Sequence, residues 1–474
     1  MKWLPSTENV FGLIVMDFLD ENYQRISYEA THNKFNGKME LMKITNAKAP
    51  ANAKYVDLHI ELTGPGQLWV LQPKLSLSEQ VAPSLDERIN QYDTKTDLPI
   101  VNLVGNTDDM SKDKYKLLKF DYWNGNQHIE GYADTKWQGD SSLNFDKKNY
   151  RIKLYKDADK KDKLKIKPQA TWQADSKFNL KANFADATMA RNIINSRLAA
   201  DVTATRDGLP DEIIKAPNFA TVDGFPVHVY VNYFDRGIYT FNLTKDIFGN
   251  AEAGVTGDVY VPATLFNADS AKYDGTDFEF LTDNPTEADK ESFNNVLKFV
   301  HTSSDEDFKA HIDEYVSLGS AIDYLVLNNI IGNTDCWGKN AEYVTYDGKK
   351  WYCLFYDLDI SYGSTWNGAS IDTNVINKET GIFYSAAEGL NLLFKRVNEL
   401  FTDRVKARYQ ELRQWLTPIY VINKYRDFID SIGETNYKLD QDMWNTTSKD
   451  RYTFAQLQEY IYKRFQILDD IWGK

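Results

Sequence analysis

Residues 332–363 read GNTDCWGKNAEYVTYDGKKWYCLFYDLDISYG, and this stretch decides the fold of most of the chain. Asp335 is followed, after four intervening residues, by Asn340. A short predicted strand, an Asp-Gly turn at 347–348 and a second predicted strand come next, and Asp357 and Asp359 follow them. Short runs rich in apolar and aromatic residues between turn residues predict strands, and Asp-Gly predicts the tight turn of a β-hairpin. The stretch therefore predicts a hairpin with oxygen-bearing side chains at both ends.

The order Asp, Asn, hairpin, Asp has a chemical meaning. Phosphoryl transfer requires metal ions that neutralise the phosphates, oxygen ligands that hold the metal, and a carboxylate near the acceptor hydroxyl. Protein kinases provide an Asp, four further residues, an Asn and then a metal-binding Asp, and Mg²⁺ prefers one or two carboxylates together with substrate phosphates. Asp335, Asn340 and Asp357 reproduce that order. The competing interpretation is that Asn340 and Asp357 only satisfy the backbone of a turn or strand end.

The residues on either side of this stretch differ in their periodicity. Several alternating segments over 98–284 predict strands, and Asp186 is placed to cap the one helix predicted among them. From about residue 285 onward, apolar residues recur at helical spacing and only the hairpin interrupts them. Residues 98–474 are therefore predicted to be α+β, with a β-rich part over 98–284 and a mainly helical part over 285–474.

Residues 1–92 predict a separate all-β module. One strand carries its apolar side chains at every second position: Val56, Leu58, Ile60 and Leu62. A Gly-Pro-Gly turn follows at 64–66, and the polar residues 82–97 are interpreted as a linker or a short helix. The pattern resembles the last strands of carbohydrate-binding, β-sandwich-like modules found in phage tail and baseplate proteins, which implies binding to a cell-wall glycan. A purely structural β module fits the same residues equally well.

Composition and charge exclude several classes of protein. A net charge of −14 repels a phosphate backbone, so no binding to nucleic acid is expected. Two cysteines are too few for a disulfide-stapled fold, and too few for a structural zinc site unless histidines also bind the metal. The apolar run at 10–16 ends at Asp17 and is too short for a signal peptide or a membrane span. We expect synthesis in the cytoplasm; action outside the cell would require incorporation into a particle such as a virion or a phage tail.

Six sequence blocks occur in a fixed order around these features. They are G-D-S-S at 139–142, K-K-N-Y-R-I-K-L at 147–154, L-K-A with a later R-N at 180–192, N with G-I-Y at 232–239, the stretch 332–363, and R-Y-Q-E-L at 408–412. In this order and spacing, residues 98–416 resemble the CotH kinase family of spore-coat proteins. The resemblance implies an atypical protein-kinase-like, bilobal domain with a β-rich N-lobe and a helical C-lobe.

The resemblance also implies an activity and the residues that carry it. A CotH-type kinase binds ATP and Mg²⁺ and transfers the γ-phosphate to a hydroxyl, for example that of a protein Ser or Thr. By matching positions, Asp335 would be the catalytic carboxylate and Asp357 the metal ligand, with Asn340 and Asp359 as secondary metal ligands. The nucleotide and a protein substrate would then be the partners of this domain.

The resemblance further concerns the lysine that grips the nucleotide phosphates. Lys153 suits the family's N-lobe strand best, and Lys148 and Lys181 are the alternatives. Family members usually carry a Glu shortly after the G-x-Y block, where this chain has Leu243 with Asn242 beside it. Because that Glu could pair with the lysine, its loss supports a second hypothesis. In that hypothesis the chain is a catalytically inactive structural or glycan-binding component of a phage or prophage tail or baseplate.

Overall fold

The structure, a computed structural model, describes residues 2–3, 11–34, 44, 47, 49–63, 68–69, 96–245, 257–261, 279–281, 285–337, 340–368, 391–444 and 453–473. The chain divides into two compact units, Met1–Lys95 and Thr96–Lys474. Helices and sheets are both present, so the predicted α+β class is confirmed. The turn predicted at 64–66 lies outside the described residues, and so does the linker predicted over 82–97 except for its last two residues.

The described residues of the first unit form two antiparallel sheets. Their strands are β1 (Lys2–Trp3), β2 (Phe11–Leu19), β3 (Arg25–Lys34), β4 (Tyr55–Thr63) and β5 (Leu68–Trp69). β2 lies between β3 and β4, and β1 pairs with β5. Val15 and Phe18 on the central strand are buried, whereas Val56 near the start of β4 is 41% exposed. The alternation predicts β4 correctly, but its apolar face is covered only in part.

Seven strands of the second unit close into a barrel. They are β6 (Ile100–Val104), β7 (Lys116–Trp123), β8 (His128–Gln138), β9 (Asn149–Tyr155), β10 (Lys177–Lys181), β11 (Gly224–Val231) and β12 (Phe234–Leu243). The order around the barrel is β10-β12-β11-β6-β7-β8-β9, and only the β6–β11 pair is parallel. The alternation predicts these strands but not the closure, which depends on the pairing of Ile100 with His228.

The apolar half of each alternating pattern fills the barrel interior. Ile152 and Leu154 on β9 belong to this core, as do Phe178 and Leu180 on β10, and all four are fully buried. Burial of each such side chain stabilises the fold by about 1.5–3 kcal/mol. Because side chains alternate across a strand, the polar residues between them lie on the outer face of the barrel. The outer face of β8, β9 and β10 therefore carries a continuous set of polar side chains.

The rest of the second unit is mainly helical. Its described helices are α1 (Arg191–Ala204), α2 (Asp211–Lys215), α3 (Glu287–Thr302), α4 (Asp305–Tyr315), α5 (Leu318–Ile331), α6 (Leu392–Leu400), α7 (Thr402–Leu412), α8 (Pro418–Ile432), α9 (Glu434–Trp444) and α10 (Phe454–Trp472). Thr286 and Thr453 cap α3 and α10 by accepting backbone N–H groups, which contributes about 1 kcal/mol each. None of the described helices combines the length and the apolar composition that crossing a bilayer requires.

The predicted hairpin belongs to a small antiparallel sheet. Its strands are β13 (Gly257–Val261), β14 (Glu279–Phe280), β15 (Ala341–Thr345) and β16 (Trp351–Phe355), in the order β14-β13-β15-β16. β15 and β16 are the two arms of the hairpin, and they pair from Ala341 with Phe355 to Thr345 with Trp351. The hairpin predicted from the Asp-Gly turn is therefore present.

Helix α1 packs in the core of the helical part, although its sequence lies between barrel strands. Ile193, Ile194 and Leu198 are almost fully buried in one apolar cluster that also contains Leu325 of α5 and Tyr425 of α8. This arrangement ties the loop after β10 to the helices, because α1 follows that loop directly. The barrel and the helical part therefore share one helix.

Two buried polar contacts add to this connection. Lys147 Nζ, just before β9, donates to Asp440 Oδ1 of α9 at 2.6 Å, and the lysine and aspartate side chains are only 1% and 3% exposed. Arg408 of α7, in the last family block, donates to Asp323 on α5 at 2.7 Å and to the Val202 carbonyl near the end of α1 at 2.9 Å. Both contacts join elements that are far apart in the sequence.

Candidate functional site

A cavity of about 580 Å³ in the second unit brings most of the predicted residues together. Asp335, Asn340, Asp357 and Asp359 all line it, and Lys181 lines it from the barrel. One wall is formed by the outer face of β8, β9 and β10, and another by the segments on either side of the β15–β16 hairpin. Basic side chains are concentrated on the barrel wall, and the predicted carboxylates lie on the hairpin wall.

The loop that carries Asp335 begins where α5 ends. Gly332 closes the helix with φ 60°, a left-handed conformation that favours glycine, and a Cβ there would come within 2.5 Å of the Tyr460 hydroxyl. Asn333 is buried; it accepts the backbone N–H of Asp335 at 2.9 Å and donates to Asn328 at 3.1 Å. The end of α5 therefore fixes the position of the Asp335 backbone.

Asp335 and Asn340 contact each other across this loop. Asn340 Nδ2 donates to Asp335 Oδ2 at 2.6 Å. Asn340 has φ 57°, which asparagine tolerates better than most residues. A carboxylate held in this way can receive the hydrogen of a hydroxyl at a defined position, which is the geometric requirement for a general base.

The loop that carries Asp357 and Asp359 follows β16 and is held by helix α1. Asn195 Nδ2 donates to the Leu358 carbonyl at 2.8 Å and to Ser361 Oγ at 2.7 Å. A second amide of the same helix accepts the backbone N–H of Leu358 at 3.3 Å. Leu358 itself is fully buried, while the aspartates on either side of it line the cavity. The helix therefore positions both carboxylates through the residue between them.

Asp359 lies in a field of opposing charges. Burial within the cleft and the nearby Asp357 carboxylate raise the pKa of Asp359 to about 8, whereas Lys181 acts in the opposite direction. The Asp359 side chain is nevertheless exposed to the solvent in the cavity. Repulsion from the Asp357 carboxylate therefore contributes more to the raised pKa of Asp359 than desolvation does. A divalent cation would relieve this repulsion, because it neutralises both carboxylates at once.

The oxygen donors around this loop suit a hard divalent cation that arrives with a phosphate. Within the described residues, the ligand oxygens of Asp335, Asp357 and Asp359 do not all lie within 4.8 Å of one another, so the three carboxylates do not form a closed cage. Mg²⁺ binds one or two carboxylates and completes its octahedron with phosphate oxygens and water. Asp357 and Asp359, with Asn340 nearby, therefore fit Mg²⁺ bound to a phosphate better than a cation held by protein alone.

Polar side chains on the barrel wall are arranged in rows across the strands. Arg151 of β9 pairs with Lys136 of β8 and with Asn179 of β10, and all three line the cavity. Lys181 lies one row further along β10 and also lines the cavity. Lys153 lies one row away in the opposite direction and does not line it. Its ammonium lies instead 4.8 Å from the centre of a tyrosine ring.

The lysines near the cavity differ in what their ammonium groups contact. Lys148 does not line the cavity; its Nζ donates to the backbone carbonyls of Leu143, at 2.7 Å, and Phe145. Lys147, which the sequence did not single out, lines the cavity, but its ammonium is engaged by α9. Within the described part of the chain, the Lys181 ammonium forms no hydrogen bond or ion pair. Of the three lysines predicted from the sequence, Lys181 is therefore the one that can contact a ligand in the cavity.

The position of the missing family glutamate is occupied by uncharged side chains. Leu243 is 2% exposed and packs in the barrel core. Asn242 lies on the outer face, directly opposite Asn179 in the β10–β12 pair, and is 1% exposed. The barrel wall of the cavity therefore receives no carboxylate from this position.

Asp186 contributes to the cavity in a way that the predicted helix cap only partly describes. It accepts the backbone N–H of Arg191, the first residue of α1, at 2.9 Å and also contacts the buried Arg191 guanidinium. The residue at the cap position itself is Ala190, which makes no side-chain hydrogen bond there. Asp186 and Arg191, both in the third family block, thus fix the loop that enters α1.

Other cavity residues were not identified from the sequence. Arg151 shares the outward face of β9 with Lys153, so the alternation of the strand does not decide which of the two residues lines the cavity. Asn179, Phe184 and Trp366 also line the cavity, and no motif or spacing marks them. The tertiary packing around a strand determines which of its outward residues face a cavity. The sequence of a single strand does not reveal that packing.

Comparison with known proteins agrees with this geometry at the level of the family. A model of the family described as CotH kinase protein matches residues 136–468, which is more than two thirds of the chain. The matched region contains every predicted site residue, from Lys148 to Asp359. No match was found among curated proteins. The chain therefore belongs to the CotH kinase family.

Proposed function

We propose that the chain is an active CotH-type kinase that transfers the γ-phosphate of ATP to a hydroxyl with the help of Mg²⁺. One observation carries the proposal: Asp335, Asn340, Asp357, Asp359 and Lys181 line one cavity. Phosphoryl transfer depends almost entirely on positioning and on electrostatic stabilisation of the phosphates. A wall of cations opposite a loop of carboxylates supplies both.

The proposal gives each side chain a separate task. Asp335 orients the acceptor hydroxyl and accepts its proton. Asp357, assisted by Asp359, holds Mg²⁺, which when bound neutralises charge on the phosphates. Lys181 contacts the phosphates as a point charge, and Arg151 can bind two phosphate oxygens at once through its planar guanidinium. The acceptor that we propose is a Ser or Thr hydroxyl of a protein.

The same proposal assigns the two parts of the second unit the roles of kinase lobes. The barrel would be the N-lobe, which supplies the cations, and the helical part would be the C-lobe, which supplies the carboxylates. Support comes from the cavity, whose lining residues are drawn from both parts. The barrel is closed, so the phosphate-binding side chains lie on its outer surface.

Transfer of radiolabelled phosphate from ATP tests the proposal, with Ser- and Thr-containing peptides as acceptors. Asp335→Asn should abolish labelling but retain nucleotide binding, because it removes the proton acceptor, and general-base groups contribute about 10²–10⁴-fold to rate. Asp357→Asn should abolish labelling and the Mg²⁺-dependent part of nucleotide binding. Asp347→Asn, in the hairpin turn and outside the cavity, is the matched control and should leave both unchanged.

Two results would overturn the proposal. Labelling that persists in Asp357→Asn removes this residue from the metal role. The absence of any thermal shift of the parent protein at saturating Mg-ATP excludes nucleotide binding altogether.

A second candidate function is supported by two different observations. Asn242 and Leu243 are uncharged, so the barrel wall of the cavity lacks the glutamate that family members usually carry at this place. In the first unit, Tyr23 and Tyr55 stack with ring centroids 4.4 Å apart and are 65% and 43% exposed. We propose as the alternative an inactive component of a phage tail or baseplate that binds cell-wall glycan through this pair. Pull-down with purified cell wall tests it, since Tyr23→Ala in the full chain should then reduce binding.

A further inference from the structure

We infer that the cavity recognises the nucleoside half of its nucleotide through Trp366, which stacks on the base. The inference rests on the proposed function, because it concerns the ligand of the same cavity. Two observations carry it: the exposure of Trp366 within the cavity, and the other aromatic rings that line the same cavity beside its charged walls.

Trp366 is exposed, and it lines the cavity. It is 52% exposed, and no other tryptophan in the described part of the chain is among the exposed large hydrophobic residues. Single exposed aromatic residues are common on protein surfaces. Trp366 differs from them because its side chain contributes to the wall of a cavity that also holds cations and carboxylates. Its apolar face is therefore presented to whatever occupies that cavity.

The turn that carries Trp366 is fixed in place. The Gly368 N–H donates to the Thr365 carbonyl at 2.9 Å. Gly368 has φ 83°, and a Cβ there would come within 2.5 Å of the Ala185 carbonyl. Only glycine allows this close approach of two backbone segments. The backbone of the turn is therefore packed against the loop between β10 and α1, and this packing fixes the position from which the Trp366 side chain extends.

Two further aromatic rings line the cavity, and one of them is on that loop. Phe184 precedes Ala185 in the chain and stacks on Phe145 with ring centroids 4.9 Å apart; both phenylalanines line the cavity. The lining thus contains an aromatic group in addition to the charged walls. A nucleotide has the same division, with a charged polyphosphate and a planar base whose π-face stacks on aromatic side chains. A nucleoside triphosphate complements both kinds of lining.

Calorimetric titration of the full chain with ATP and with tripolyphosphate, both at saturating Mg²⁺, separates the two halves of the ligand. Trp366→Ala should weaken ATP binding by about ten- to hundredfold, the usual effect of losing one stacking aromatic. It should leave tripolyphosphate binding unchanged, and Trp366→Phe should retain most of the ATP affinity. Tyr462→Ala removes an aromatic residue of similar exposure outside the cavity and should have no effect.

The outcomes distinguish this inference from the proposed function. Loss of ATP affinity alone supports the inference. Unchanged ATP affinity in Trp366→Ala overturns it, and so does an equal loss for both ligands, since that loss would not be specific to the base. If the parent protein binds neither ligand, the proposed function fails as well, and that result is visible before any variant is made.

Discussion

Replacing Asp440 by alanine tests the buried contact that joins helix α9 to the barrel. Asp440 Oδ1 accepts hydrogen bonds from Lys147 Nζ at 2.6 Å and from the backbone N–H of Ile238 at 2.8 Å. The lysine and aspartate side chains are 1% and 3% exposed. The substitution therefore removes a carboxylate that is in direct contact with a buried ammonium and with a buried backbone donor.

The expected loss in the free energy of unfolding is about 4 kcal/mol, because removing one partner of a buried ion pair costs about 3–5 kcal/mol. A buried donor that loses its acceptor costs about 1–3 kcal/mol. The two contributions overlap, since a single carboxylate oxygen serves both donors. Lys147 also keeps its contacts with the Ile238 carbonyl and with the Tyr239 ring, whose centre is 4.7 Å away. We therefore expect the middle of the first range and not the sum of the two.

Urea unfolding followed by far-ultraviolet circular dichroism measures this loss. All described helices belong to the second unit, so the helical signal reports on the unit that contains Asp440. Asp442→Ala is the matched control, because Asp442 lies on the same helix and its ion pair with Lys438 is exposed; exposed pairs contribute about 0–1 kcal/mol. Asp440→Asn should fall between the two, since its amide oxygen can still accept from Ile238.

A loss below about 1 kcal/mol for Asp440→Ala would refute the reasoning, because that is the range of solvent-exposed pairs. It would mean that the Lys147 ammonium is solvated in the folded chain. Lys147→Met combined with Asp440→Leu should recover the part of the loss that comes from the unpaired ammonium, since apolar replacement of a whole buried ion pair is often close to neutral. The part that comes from the Ile238 N–H should remain.

The remaining predictions concern the cavity and the second buried contact. In calorimetric titration, Lys181→Met should weaken ATP binding, whereas Lys153→Met, one row away from the cavity, should not; equal effects would contradict the assignment of rows. Arg408→Ala should lower the free energy of unfolding by about 3 kcal/mol in the same urea assay, since it leaves the buried Asp323 with fewer donors; no change would exclude a stabilising role. The pKa of Asp359 lies above the value of about 4 in unfolded chains, so its ionisation destabilises the metal-free fold as the pH rises between the two values. In EDTA, Asp359→Asn should therefore gain stability over the parent as the pH rises from about 5 to about 9, and a gain independent of pH would contradict the raised pKa.

Local pattern predicts the strands and the hairpin of this chain, but not how the strands are connected in space. Ile152 and Leu154 alternate with polar residues, which is enough to predict a strand with one buried face. The barrel closes through the parallel pairing of Ile100 with His228. Those residues are far apart in the sequence, and their pairing is set by packing that no local propensity encodes.

The candidate site was likewise predictable from the sequence only in part. Asp335 and Asp357 lie on either side of one hairpin, so their shared cavity follows from local order. The lysine could not be assigned, because residues 151 and 153 share one outward face and only the surrounding fold decides which row the cavity covers. Trp366 and Asn179 belong to no motif, and their exposure and burial emerge only from the packed structure. The chemical roles of all these residues stay predictions.

The position of helix α1 has a practical consequence for any attempt to divide this chain. A fragment that stops at residue 284 would present Ile193, Ile194 and Leu198 to water, and the complementary fragment would have an unfilled apolar slot where α1 belongs. Asn195 on the same helix donates a hydrogen bond to the carbonyl of Leu358, which lies between Asp357 and Asp359. Both walls of the cavity therefore depend on the same helix, and we expect neither wall to form correctly in a fragment that lacks the other.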